Sequence, residues 1–253
     1  MLQRSKTKQL LRNWATAFLV PRPLIGALYL TSYFRDWRRF QQMTSVDKLR
    51  WQDSYPCLAD KVTATPFDPH YFYQGAWLAR RVAEASPSLH VDVASSVLTM
   101  SVLSASCRTV FLDYRPLKVT LAGLRSVAGS ITQLPFADAS LTSLSCLHVI
   151  EHIGLGRYGD RLDPDGSRKS AAELMRVLSP NGRLYLSVPI GRERICFNAH
   201  RVFSPHTIRA WFTKLELERF SYVGDDCEYV DPAPLEAAER LEYGCGFFEF
   251  RRC

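Results

Sequence analysis

From residue 71 to the C-terminus, short apolar runs alternate with longer stretches of helical periodicity. That alternation restricts the chain to a mostly parallel sheet with helices on both faces. LHVDVA (89–94), RTVFLD (108–113), RSVAG (125–129), TSLSCLHV (142–149) and RLYLSVP (183–189) read as five strands, and 216–223 and 244–251 as a sixth and seventh that close as an antiparallel hairpin. Helices fit 71–85, 167–178 and 205–214. The second of these stops at Ser179-Pro180-Asn181-Gly182, a proline and a turn glycine after the last apolar position. Ser204 and Pro205 suit the cap and first turn of the third. In a sheet of this kind ligands bind beyond the carboxyl ends of the strands, where the strand order reverses.

The expected division is a basic, apolar N-terminal extension over 1–65 and a main domain over 66–253, joined through the turn-rich stretch 52–70. Residues 1–50 hold ten Lys/Arg against two Asp/Glu, a balance of +8 in a chain whose total is +7. The main domain is therefore nearly neutral and lacks the basic face that nucleic acid requires, so no nucleic-acid partner is expected. The apolar stretch 14–34 is broken by Pro21, Arg22 and Pro23, and neither part spans the roughly 30 Å of a hydrocarbon core. It reads either as helices packed on the domain or as an interfacial segment. In the second case Lys/Arg meet anionic headgroups while Trp14, Phe18 and Trp37 dip inward. Seven cysteines at wide spacings form no CxxC pair, so neither a zinc nor a redox motif is suggested. A cytoplasmic setting is expected, at the inner membrane face if the interfacial reading holds.

The strand ends carry the candidate chemistry. After the first strand come Asp92, Val93, Ala94, Ser95 and Ser96, with no glycine between Gly75 and Gly123. Small side chains still permit close approach of a ligand, and hydroxyl and N–H groups there suit a carboxylate. Asp113 and Tyr114 follow the second strand, with Asp113 placed 21 residues after Asp92. A carboxylate at that point grips a ribose diol, though a strand-end acid can equally be a helix cap or a surface residue. Gly129, Ser130 and Ile131 follow the third strand, and His148 leads into Glu151-His152 after the fourth. Imidazole is the side chain suited to general base work near neutral pH, which makes His152 a candidate base with Glu151 beside it; the pair can instead cap the next element. The loop GLGRYGD offers Arg157, Tyr158 and Asp160 to close over a substrate, Tyr158 stacking on a sugar ring. The segment FNAHR adds Asn198, His200 and Arg201, the last able to bind a phosphate. No metal is expected, because His148, His152 and His200 lack ligand spacing. Tyr73 and Gln74, ahead of the first strand, are either core or reach over the ligand.

LPFADAS (134–140), EH (151–152) and LSPNG (178–182), with the acid ending the second strand, resemble class I S-adenosylmethionine-dependent methyltransferases in order and spacing. HVDVASS, FLDYRPL, EHIGLGRYGD, SVPIGRER and FNAHRVFS resemble, over 68–210, a domain-of-unknown-function family associated with polysaccharide biosynthesis. The resemblance implies an α/β, Rossmann-like seven-stranded methyltransferase fold, mostly parallel with an antiparallel last strand, plus a basic N-terminal helical extension. It implies S-adenosylmethionine as cofactor, held by Asp92, Val93, Ala94, Ser95, Ser96, Asp113, Tyr114, Gly129, Ser130, Ile131 and His148. It further implies O-methylation of a glycan, glycolipid or small-molecule acceptor held by Arg157, Tyr158, Asp160, Asn198, His200 and Arg201, with His152 and Glu151 catalytic. Ala94 stands where relatives have glycine, and Ser130 where many have an acid. Those departures fit a second reading, a catalytically lapsed binding or scaffold protein on the same fold. A nicotinamide-dependent oxidoreductase is disfavoured, since GxGxxG is absent.

Overall fold

The sheet-bearing part of the chain begins with an Asp-Pro helix start. Asp68 caps helix α2 (Pro69–Ala85), accepting from the N–H groups of His70 at 2.9 Å and Tyr71 at 3.3 Å, with Pro69 in the first turn. Strand β1 (His90–Val93), helix α3 (Val97–Leu103), and strands β2 (Thr109–Asp113), β3 (Leu124–Ala128) and β4 (Leu141–Leu147) follow. Helix α4 (Gly166–Val177) runs directly into β5 (Leu178–Ile190). Next come β6 (Arg194–Cys196), β7 (His200–Val202), helix α5 (Pro205–Trp211), β8 (Glu216–Val223), β9 (Tyr229–Val230) and β10 (Gly244–Arg251). The computed structural model describes residues 23–46, 48–58 and 60–253, and the chain divides into two units, Met1–Pro66 and Phe67–Cys253.

In the second unit the sheet order is β3-β2-β1-β4-β5-β10-β8-β9. The first five strands are parallel to one another; β10 inserts antiparallel between β5 and β8. The sheet has eight strands, not the expected seven, because β9 pairs antiparallel with Tyr222 and Val223. A two-residue strand has no period to read in a sequence. LSPNG is also more than a free turn: Leu178 pairs with Leu141 before the register shifts, so β5 starts five residues ahead of the expected 183. FNAHR contributes His200 and Arg201 to a separate hairpin of β6 with β7.

Both faces of the central strands are covered. Leu144, Cys146, Leu184, Leu186 and Val188 pack with Leu174 and Val177 of α4. Trp77 and Leu78 of α2 pack with Phe111, Tyr185 and Phe247 on the other side. The Trp77 and Phe247 rings stack at 5.5 Å; truncating such a fully buried aromatic costs about 3–5 kcal/mol. Gln74 belongs to this layer, buried and accepting from the Ser187 hydroxyl at 2.7 Å.

In the first unit, α1 (Pro23–Met43) precedes a 3₁₀ turn at Trp51–Asp53. The Trp51 ring lies 6.1 Å from Phe34 and 6.3 Å from Trp37, and Lys61 pairs with Asp36 at 2.7 Å. Among the described residues no helix is long and apolar enough to cross a membrane. Trp14 and Phe18, expected at an interface, lie outside the described residues.

Candidate functional site

A cleft of about 400 Å³ opens at the carboxyl edge of the parallel strands, within the size range of small-molecule sites. Its wall is made by four strand tips, Val93-Ala94, Leu112-Asp113, Gly129-Ser130 and His148-Val149, and by residues from the loop that follows β4. The tips meet there because β1 lies between β2 and β4, where the strand order reverses.

Ala94 turns the chain at the end of β1 with φ +56°, donating its N–H to Leu112 O at 2.8 Å. Asp113 accepts from the Arg115 N–H at 2.6 Å through Oδ1, and no hydrogen bond among the described residues engages Oδ2. A Cβ on Gly129 would meet Leu112 Cδ1 at 2.8 Å, so any larger residue there would have to push the buried Leu112 side chain aside. Ser130 shares a 2.9 Å hydrogen bond with Thr132. Tyr114 is 70% exposed on the rim, and Ile131 is buried in the wall.

Asp92, Ser95 and Ser96, expected at the cofactor, stand off the cleft wall. Asp92 is fully buried and accepts from the Ser95 N–H at 3.0 Å, the Ser95 hydroxyl at 2.6 Å and the Ser145 hydroxyl. Ser95 Oγ in turn accepts from the Leu147 N–H at 2.9 Å. His90 bridges Ser143 and Ser145, each at 2.8 Å. Since Ser145 donates to Asp92, His90 Nε2 carries the proton that Ser145 accepts, and Nδ1 accepts from Ser143. Burial pushes the Asp92 carboxyl up to about 6 despite the hydrogen bonds from Ser145 and Ser95, and pushes His90 down to about 4. This row of hydrogen bonds clamps the first loop from behind. Ser96 occupies the cap position of α3 without a side-chain cap bond.

After β4, a 3₁₀ turn at Ile150–His152 divides the EH pair. His152 lines the cleft; its Nδ1 lies 2.6 Å from Ala199 O. A carbonyl only accepts, so Nδ1 bears the hydrogen at this contact. Glu151, expected to be catalytic with His152, is 0% exposed and stands off the cleft wall. Its Oε1 lies 3.0 Å from His148 Nδ1 and 3.6 Å from His152 Nε2, yet neither carboxylate oxygen has an aligned hydrogen bond among the described residues. His148 Nε2 faces Cys245 Sγ at 3.0 Å, and its ring stacks near His70 and Tyr71. Burial works against charge on His148, but Cys245 and Glu151 outweigh it and hold its pKa well above the ordinary value.

Of the six residues expected at an acceptor, Tyr158 and Asp160 line the cleft. The Arg115 and Arg157 guanidiniums lie over the Tyr158 ring, 4.8 and 5.1 Å from its centroid. Asp160 braces its own loop, accepting from the N–H groups of Gly154 at 2.7 Å and Tyr158 at 3.2 Å. Arg157 donates to Ala199 O at 3.2 Å, and Asn198 contacts Leu155 O at 3.5 Å. His200 packs beside Tyr243 with its pKa lowered by burial and by His152. Arg201 is buried and donates to Ile153 O at 2.7 Å, Ser167 Oγ at 3.0 Å and Pro164 O at 3.3 Å. Its donors, expected at a phosphate, are engaged by backbone carbonyls and a serine hydroxyl. Sequence reasoning missed Thr132, Arg115 and Arg161 on the cleft wall; Arg115 was within reach, two positions past the strand-end acid.

Residues 130–231 match a family described as Caenorhabditis protein of unknown function, DUF268. No curated protein matches the chain. Among solved structures, it is similar to a putative sarcosine dimethylglycine methyltransferase from Galdieria sulphuraria, at 16% identity and TM-score 0.53, over 72% of this chain and 86% of that one. It is also similar to the N-methyltransferase NodS from Bradyrhizobium japonicum WM9 in complex with S-adenosyl-L-homocysteine, at 16% identity and TM-score 0.51, over 79% and 92%. A third is the [4+2]-cyclase SpnF, at 11% identity and TM-score 0.53, over 71% and 80%. At such identities the likeness establishes the fold: that of class I S-adenosylmethionine-dependent methyltransferases, carried on a mostly parallel α/β sheet.

Proposed function

We propose that this chain is an S-adenosylmethionine-dependent methyltransferase acting on a hydroxyl of a glycan, glycolipid precursor or related small molecule. The observation that carries the reading is Asp113. Its Oδ2 is unengaged among the described residues, at the end of β2, in a cleft that also holds Ala94, Gly129 and Ser130. A carboxylate there suits the two hydroxyls of a ribose. Gly129, Ser130 and Ile131 would take the adenine side. The backbone at Val93 and Ala94 would take the methionine end, and His148 with Val149 the opposing wall.

The cofactor supplies a methyl group on a sulfonium for in-line displacement. The chain's part is to align the acceptor and remove its proton. His152 has the geometry for the second task, because its Nδ1–H is committed to Ala199 O and Nε2 remains to accept. Tyr158, 42% exposed and on the cleft wall, would offer its ring to a sugar. Glu151 acts through the histidines beside it.

Calorimetric titration of the full chain with S-adenosylmethionine and S-adenosylhomocysteine tests this. Micromolar binding is expected, weakened at least about tenfold (about 1.4 kcal/mol) by Asp113→Ala. No heat at millimolar ligand would favour the second reading, a lapsed scaffold, which draws on the strained Ala94 and on Ser130 in place of an acid.

The acceptor and the N-terminal charge belong together in this proposal: the +8 of residues 1–50 holds the chain at an anionic membrane face on the cytoplasmic side. Co-sedimentation with phosphatidylserine vesicles should fall with salt and disappear on deleting 1–50. Sedimentation unchanged by that deletion would remove the peripheral part of the proposal.

A further inference from the structure

Three elements distant in sequence bring metal-binding side chains together: His70 in the first turn of α2, His148 just past β4 and Cys245 near the start of β10. Their ligand atoms all lie within 4.8 Å of one another, and His148 Nε2 is 3.0 Å from Cys245 Sγ. Around a tetrahedral zinc, with bonds of about 2.0–2.1 Å to nitrogen and 2.3 Å to sulfur, such atoms sit about 3.4–3.6 Å apart. Closing the widest of these separations by at most about 1.4 Å would bring the three onto a single ion. We propose that His70, His148 and Cys245 form a zinc-binding site, with Glu151 as its outer carboxylate.

Glu151 carries the argument beyond simple proximity. A metal-bound imidazole characteristically presents its other nitrogen to a carboxylate, which fixes the tautomer and orients the ring. His148 has this arrangement, with Nδ1 3.0 Å from Glu151 Oε1 and Nε2 turned to the thiol. Charge supports the same assignment. Glu151 is fully buried without an aligned hydrogen bond, and Cys245 is fully buried beside it. Removing a carboxylate from water is costly unless it is compensated. One dication with a thiolate, a carboxylate and two neutral imidazoles sums to zero. The rival arrangement is a protonated His148 between Glu151 and Cys245, which accounts for the thiol but leaves the approach of His70 without a role.

Thiolate with imidazole favours zinc over magnesium or calcium. Three protein ligands leave a fourth position for water or an added donor. His148 and Val149 form part of the cleft wall, so the ion would tie that wall to α2 and β10. The inference does not rest on cofactor binding or on methyl transfer.

The test is a cobalt titration of the full chain, stripped with EDTA and kept reduced with a non-chelating phosphine. One equivalent of Co²⁺ should give a thiolate-to-metal charge-transfer band and the intense visible bands of tetrahedral cobalt, both erased by Zn²⁺. Cys245→Ser should abolish the charge-transfer band. His70→Ala should weaken affinity at least tenfold. Glu151→Gln should weaken it about 10–100-fold while keeping the band. Cys57→Ser, altering an exposed cysteine, should change nothing. Absence of the band in the unaltered chain overturns the proposal, as does its survival in Cys245→Ser or its loss in Cys57→Ser. Should Cys245→Ser fail to fold by circular dichroism, the unaltered chain and the half-buried His70→Ala variant still decide: full cobalt affinity in His70→Ala overturns the site.

Discussion

Ala94 holds a left-handed backbone, φ +56°, at the mouth of the cleft. For a residue with a Cβ that conformation costs roughly 1–2 kcal/mol, whereas glycine adopts it freely. Glycine loses more chain entropy on folding, which offsets part of the gain. Ala94→Gly should therefore raise stability by about 0.5–1 kcal/mol in urea unfolding, with an unchanged dependence on denaturant. A variant less stable than the parent would mean that the Ala94 methyl makes packing contacts worth more than the backbone strain. The same substitution trims the wall where a ligand's backbone contacts would form. If the cleft takes S-adenosylhomocysteine, the variant should bind it at least as tightly as the parent.

At the scale of elements, β1 and β4 are joined by more than their ladder. The side chains of His90, Ser145 and Asp92 form one hydrogen-bonded row between them, and its two ends titrate in opposite senses. Asp92 has a folded pKa of about 6 against an ordinary 3.8. The native state holds that proton more tightly, so the contribution of Asp92 is complete below about 4 and lost as pH rises through about 6. His90 has a folded pKa of about 4 against 6.5. The native state resists protonation, so its contribution is complete above 6.5 and lost as pH falls through about 4. Each is worth about 3 kcal/mol at 1.36 kcal/mol per pKa unit, and over one window they oppose. Asp92→Asn should therefore make stability climb more steeply from about pH 4 to 6.5 than in the parent, and His90→Gln should make it fall. Urea midpoints across that range report both slopes; three superimposable profiles would refute the row's role. This arrangement also explains what was legible in the sequence. The αβ alternation identified the strand ends, and with them Asp113, Gly129, Ser130 and His152, because each tip follows its strand directly. Which way a side chain turns at a tip depends on partners far away in sequence. Asp92 turns inward to Ser145, Arg201 is drawn to the carbonyls of Ile153 and Pro164, and His148 meets Cys245 across 97 positions. No local period records those pairings. The two-residue β9 is equally invisible, being held by pairing with β8 and by the stacking of Tyr229 on Tyr73.

For the molecule as a whole, charge and packing divide at different places from chemistry. Every strand, both apolar clusters and the cleft belong to the unit Phe67–Cys253, while the excess of positive charge sits within residues 1–50. A chain the size of that unit buries about 70% of the surface its unfolded form exposes, enough for an independent core. The fragment 67–253 should thus unfold in one cooperative thermal transition and bind S-adenosylhomocysteine as tightly as the full chain does. It should also elute early from a cation-exchange column that retains the full chain, because its own charges nearly cancel. A broad, non-cooperative melt would show that the sheet depends on the first 66 residues for its stability. A cooperative melt with cofactor affinity lost would instead assign those residues a part in the cleft. Early elution with both properties intact would leave the N-terminal charge a task separate from catalysis, and deletion of 1–50 would then alter where the protein resides without altering its turnover on a free acceptor.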